Sequence, residues 1–162
     1  MEKRLILFVL FAYSHLFSSA KTDECFFFID QRIDYAAAQL EKFALQEGAK
    51  KIEEGLYIKI LKNGVGSVEV CQNDIPEVVF TAKEIVLNGD GPSPYKTEHP
   101  IKIDIAYSVP GIQRGMEGMK EKEVRRIFFH PSLGQGVFGG FWLEEPFYVD
   151  IEIIAINRSE SL

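Results

Sequence analysis

At Gly48 the hydrophobic pattern of this chain changes its period. Before it, Ile33, Ala36, Ala37, Leu40, Phe43 and Ala44 recur at spacings of three and four, which is one face of a helix. Asp30 is placed to cap the start of that helix and Gly48 to end it. Beyond Gly48 the apolar residues alternate, and a period of two belongs to strands with one buried face. Leu56 to Leu61 reads as a strand, stopped by Asn63-Gly64 and Gly66. Glu77 to Leu87 reads as a longer one, closed by Asn88-Gly89-Asp90-Gly91. Ile101, Ile103 and Ile105 alternate with Lys102 and Asp104 as a half-buried strand. Val124 to Phe129 is a fourth strand, and Val149, Ile151 and Ile153 mark the last. Between the third and fourth, Pro110 opens a short helix, because its fixed φ suits a first helical position. Ile112, Met116 and Met119 fall on one face there.

A small antiparallel sheet needs one face covered, and a single short helix within the strand order is the available cover. The expected fold is therefore α+β: a curved antiparallel sheet, a half-barrel, wrapped around one short helix and preceded by an N-terminal helix. A helix as short as the N-terminal one needs a surface to pack on. Packing within the chain is the favoured arrangement; a homodimer through this helix is the other one open to it.

The first twenty residues stand apart. Lys3 and Arg4 are positive, Leu5 to Phe17 is almost wholly apolar, and Ser18-Ser19-Ala20 supplies small residues. That is the layout of a cleavable secretory signal. The apolar run is shorter than the ~20 residues a membrane span needs. Residues 1–20 are thus expected to be a signal, 21–48 a helical segment, 49–157 one domain and 158–162 a tail. The product is expected to be exported, periplasmic or secreted if the host is bacterial, with no membrane span after cleavage.

Several function classes are disfavoured. With 18 basic against 24 acidic residues the net charge is −6, whereas phosphate binding rests on clustered Lys and Arg, so no nucleic-acid partner is expected. His99 and His130 lie in no nucleophile motif. Gly134-Gln135-Gly136-Val137-Phe138-Gly139 matches the letters of a dinucleotide fingerprint, but Gly140-Phe141-Trp142 follows it instead of a helix. The run Lys120, Glu121, Lys122, Glu123, Arg125, Arg126 alternates in sign and reads as a solvated face, and Glu53 and Glu54 read as solvated too. Cys25 and Cys71 do not make a zinc site; export makes a disulfide between them chemically accessible, and two unpaired thiols are the alternative. No cofactor and no metal are expected.

What remains is a helix over a sheet, with Phe138, Phe141 and Trp142 close together in the last loop. Large apolar residues in a loop are either core cover or a binding lip.

Four segments then point to a family. Val109-Pro110-Gly111-Ile112-Gln113-Arg114-Gly115-Met116-Glu117-Gly118-Met119-Lys120 resembles the helix signature of FKBP-type peptidyl-prolyl isomerases, V-I-P-G-W-x-E-G-L-x-x-M. Phe129-His130-Pro131-Ser132-Leu133-Gly134-Gln135-Gly136 resembles their I-P-P-x-L-A-Y-G segment. The stretch from Gly55 to Gly64 resembles the first strand of the exported macrophage-infectivity-potentiator class, and Phe147 to Ile153 resembles the closing strand. Order and spacing agree from Gly55 to Asn157.

The resemblance implies an FKBP-like domain that isomerises X–Pro bonds in proline-containing polypeptides, without cofactor. The barrier to rotation about such a bond is roughly 20 kcal/mol. A dry apolar pocket lowers it by favouring the twisted amide, with no catalytic side chain. The implied pocket residues are Phe80, Ile101, Val109, Ile112, Gln135 and Val149, with Phe138, Phe141 and Trp142 refilling it from the loop. The sequence departs from the family here. Ile112 stands where the family has tryptophan, Gln135 and Phe80 where it has tyrosine, and Ile101 and Val149 where it has phenylalanine. Val109 stands for an isoleucine whose backbone N–H holds the substrate carbonyl. The family's Phe-Asp pair falls near Gly91 and Pro92, with Asp90 the nearest acid. Weak or absent isomerase activity with peptide binding retained is the expectation, and a non-catalytic peptide-binding chaperone or partner-binding module is the alternative.

Overall fold

The computed structural model describes residues 35–86, 89–90, 95–134 and 146–157. The chain divides after Tyr35, and the unit Ala36–Leu162 carries the fold. Residues 1–20, expected as a signal, together with Cys25, Asp30, Ile33, Gly91, Pro92, Gln135, Phe138, Phe141 and Trp142, lie outside the described residues.

A helix, α1, runs over residues 35–46. It ends where the sequence places a stop. Gly48 has φ 76°, a conformation in which any other residue would carry a strained Cβ. The Ala49 N–H donates to the Ala44 carbonyl at 2.9 Å and the Gly48 N–H to the Leu45 carbonyl at 3.0 Å. These two bonds form a Schellman motif, which satisfies carbonyls that the helix end leaves open.

The strands follow as β1 (Lys50–Glu53), β2 (Leu56–Lys62), β3 (Val65–Glu69), β4 (Glu77–Val86), β5 (Gly89–Asp90), β6 (Tyr95–Lys96) and β7 (Ile101–Lys102). A 3₁₀ turn at Ile105–Tyr107 leads into helix α2 (Pro110–Met116). Then come β8 (Lys120–Glu121), β9 (Val124–Phe129), a second 3₁₀ turn (Pro131–Leu133) and β10 (Phe147–Ala155). Among the described residues the main sheet runs β1-β2-β9-β10-β4-β5, with β6 and β7 also on β4, and β3 with β8 forms a separate ribbon. The pairings are antiparallel, and in register Val149 of β10 faces Ile127 of β9 on one side and Ala82 of β4 on the other. The fold is α+β, as the strand and helix order implies.

Because side chains alternate along a strand, the sheet carries two cores. On the inner face Leu56, Val78, Ala82, Ile127, Phe129, Phe147, Val149, Ile151 and Ile153 pack with Met116 of α2 and with Met119 and Ile105. On the outer face Tyr57, Ile85, Phe128 and Tyr148 pack with Leu40 and Ala44 of α1. The apolar face of α1 within the described residues is thus spent on its own sheet.

Helix α2 reaches the inner face closely because of two glycines. A Cβ on Gly111 would come within 2.6 Å of the Phe129 ring, and one on Gly115 would run into Ile127. A buried pair holds its other end. Arg125 Nε donates to Glu123 Oε1 at 2.8 Å, and its NH1 donates to the carbonyls of Gly115 at 2.8 Å and Glu117 at 3.0 Å.

Three expectations need correction. Glu123 and Arg125 are buried, not part of a solvated face, because the end of α2 offers carbonyls that Arg125 from β9 reaches, with Glu123 as its counter-charge. Ile101, Ile103 and Ile105 do not share one strand. β7 stops at Lys102, Ile101 is 41% exposed, and Ile105 is buried from a 3₁₀ turn whose start is capped by Asp104. Glu53 is not merely solvated, since it pairs with Arg114 of α2.

Candidate functional site

Among the described residues the inner core keeps some of its apolar side chains only half-buried. Phe80 from β4, Val109 and Ile112 from the start of α2, and Leu133 from the turn after β9 pack against it while staying half-buried. Behind them Phe129 and Phe147 meet edge to face, ring centroids 4.1 Å apart, beside buried Val149. Such ring contacts add to area burial and stiffen a surface.

Each rim residue is set by a local device. Phe80 is pinned through its backbone: its N–H donates to Thr97 Oγ1 at 2.9 Å and its carbonyl accepts from the Thr97 N–H at 3.0 Å. Leu133 sits on a turn capped by His130, whose Nδ1 accepts from the Ser132 N–H at 3.2 Å and lies 2.8 Å from the Ser132 hydroxyl. That is a structural use of the histidine. Val109 precedes Pro110 in extended backbone, φ −66° and ψ 148°, as a residue before proline prefers. Its carbonyl accepts from the N–H groups of Ile112 and Gln113. Its own N–H has no hydrogen-bond partner among the described residues.

Of the nine residues implied for a pocket, the structure gathers Phe80, Val109, Ile112 and Val149 on the inner core. Ile101 is left out, exposed on the short edge strand β7. Gln135, Phe138, Phe141 and Trp142 lie outside the described residues. Phe129, Phe147 and Leu133 join the site without having been singled out. Strand parity was the available signal, since Phe147 lies two residues before Val149 and so on the same face.

The chemistry of the arrangement is apolar contact plus one backbone donor. Among the described residues no group of three or more His, Cys, Asp or Glu is placed to hold a metal. Cys71 carries an exposed free thiol. No helix among the described residues is long and apolar enough to cross a membrane.

No protein-family model matches the chain. It is 29% identical over 106 residues to the peptidyl-prolyl cis-trans isomerase Mip of Chlamydia pneumoniae, covering 65% of this chain and 40% of that protein. It is 28% identical over 126 residues to Mip of Chlamydia muridarum, covering 74% of this chain and 51% of that one. The chain thus spans about half the length of these relatives or less. Among solved structures, FkpA from Escherichia coli superposes with a TM-score of 0.65 at 19% identity, over 98% of this chain and 74% of that one. The domain is FKBP-type in fold. Within that type its sequence resembles the Mip peptidyl-prolyl cis-trans isomerases.

Proposed function

We propose that the inner-face rim binds X–Pro segments of exported polypeptides and speeds their cis–trans isomerisation. The observation that carries this reading is the half-buried apolar rim of Phe80, Val109, Ile112 and Leu133, with a Val109 N–H that no described residue accepts from. Twisting an X–Pro amide needs neither acid, base nor nucleophile. It needs a surface that binds the twisted form better than either planar one. Apolar contact takes the proline ring, and the N–H takes the carbonyl before it. The charge, apolar run and small residues of positions 1–20 support export of this chain to the compartment where such polypeptides fold.

A second reading is favoured by one feature. Ile112 and Val149 are aliphatic, which keeps the rim apolar but forgoes ring stacking on proline. That suits a peptide-binding chaperone with little turnover.

A proline-limited refolding assay separates the two. The isomerase reading expects acceleration that Ile112→Asp lowers by at least about tenfold, since a carboxylate on the rim disfavours apolar docking. No acceleration at high protein concentration sinks that reading. Suppressed aggregation of an unfolded client without acceleration establishes the second.

A further inference from the structure

We infer that Gln113 is a positioning residue for substrate binding, which orients the Val109 N–H from both sides. The inference rests on the reading that this N–H receives the substrate carbonyl. Gln113 Nε2 donates to the Ser108 carbonyl at 2.9 Å and to the Ala106 carbonyl at 3.0 Å. Both partners are acceptors, so the amide nitrogen, and not its oxygen, must face them. The backbone N–H of the same residue donates to the Val109 carbonyl at 3.0 Å. Gln113 therefore holds the peptide planes on either side of Val109, Ser108–Val109 by its side chain and Val109–Pro110 by its main chain.

The consequence follows from peptide geometry. In a planar trans unit the carbonyl and the N–H point in opposite directions, and the described backbone has no cis peptide. Fixing the Ser108 carbonyl on Gln113 turns the Val109 N–H the other way. A carbonyl that accepts a hydrogen bond also polarises the N–H of its own unit, making it a better donor. The preceding turn is independently stiff. Asp104 Oδ1 accepts from the Ala106 N–H at 3.1 Å, and the Ser108 hydroxyl donates to the Asp104 carbonyl at 3.0 Å. Gln113 is the link between this turn and α2.

The test uses the full chain with Gln113→Leu, Gln113→Glu and Gln113→Arg. It reads kcat/KM on a proline-containing peptide, affinity for that peptide, melting temperature, and the Val109 amide resonance as peptide is added. Leu and Glu remove the donors, and each lowers kcat/KM about tenfold, the scale of one well-placed hydrogen bond in a transition state. Both also shrink the peptide-induced shift of the Val109 amide while the melting temperature stays near that of wild type. Arg retains two N–H donors and keeps most of the activity and the shift. If wild type binds peptide without turnover, affinity replaces kcat/KM and the same order of variants is expected. Equal activity and equal Val109 shift in wild type and Gln113→Leu overturn the inference and leave the proposed function standing. So does an Arg variant as impaired as the Leu one. A wild type that neither binds nor isomerises the peptide overturns both.

Discussion

The two faces of the sheet are covered in different ways. On the outer face α1 closes an aromatic core. Phe43 stacks on Tyr148 with centroids 6.0 Å apart, and Phe128 meets both rings. A charged clasp borders it. Arg126 makes two hydrogen bonds to Asp150, at 2.6 and 2.9 Å, and lies 4.2 Å over the Tyr148 ring. Glu47, just past α1, accepts from Lys59 and Arg126. Fork-shaped pairing of this kind is directional as well as attractive. On the inner face α2 is shorter, sits down through two glycines, and leaves apolar side chains such as Phe80, Val109, Ile112 and Leu133 half-buried. Among the described residues the outer face buries most of its apolar side chains, with Phe43 half-buried, and the inner face keeps more apolar surface at the solvent boundary. A domain that recognises peptide by apolar contact needs both, since the surface it offers for binding is surface it cannot use for stability.

Breaking the inner anchor is expected to have the largest effect. Arg125→Ala strands Glu123 and two carbonyls, and about 3–5 kcal/mol of stability should be lost in urea unfolding. Replacing the whole pair, Arg125→Met with Glu123→Leu, should recover most of that loss, because neither charge is then left buried alone. Failure of the double variant to recover would mean that the two hydrogen bonds to the Gly115 and Glu117 carbonyls, not the charge pair, hold the helix.

Cutting the outer core tests whether the faces are independent. Leu40, on the sheet-facing side of α1, is fully buried, and Leu40→Ala should cost about 2–5 kcal/mol through lost contacts and a cavity. Peptide affinity measured well below the melting temperature should stay within about twofold of wild type, as expected for separate sites. An affinity that falls in step with stability would show the two faces acting as one unit.

The smallest effect concerns Tyr57. Burial in the outer core, first of all, raises its phenol pKa above the ordinary value near 10.0, Glu41 adds to this, and Lys51, 5.8 Å from the ring, opposes it. The folded state therefore holds the proton more tightly than the unfolded state. The resulting stability is present below about pH 10 and is lost as pH rises through the folded value. Tyr57→Phe should flatten the fall in melting temperature above about pH 10 and leave neutral pH almost unchanged. An unchanged alkaline slope would place the titrating group elsewhere.

Much of the strand and helix layout was legible because it is written locally. Pro110 opens α2, Gly48 closes α1, and the strand from Val124 to Phe129 has the observed bounds. Short edge pieces such as β1 and β3 were not legible, since exposed residues on a single pairing partner leave no period to read. At the candidate site, Val109 and Ile112 were marked by their motif and Val149 by its closing strand. Leu133 on the rim and Phe129 behind it lay within a quoted motif but were not marked as site residues, because their part in the site depends on how far the turn after β9 folds back toward α2.

By itself the sequence determined the periods: a helix to Gly48, alternating strands beyond it, and a proline-led helix among them. It also set the two glycines that let α2 approach the sheet. Only the tertiary structure decided that the N-terminal helix covers the outer face, that Ile101 faces solvent, and that Arg125 and Glu123 lie inside. The reason is physical. A period is a property of neighbours along the chain, whereas burial of a charge or the choice of a face depends on partners that arrive from elsewhere. For Arg125 those partners are the carbonyls of Gly115 and Glu117, which exist as unmet acceptors only once α2 has formed and ended.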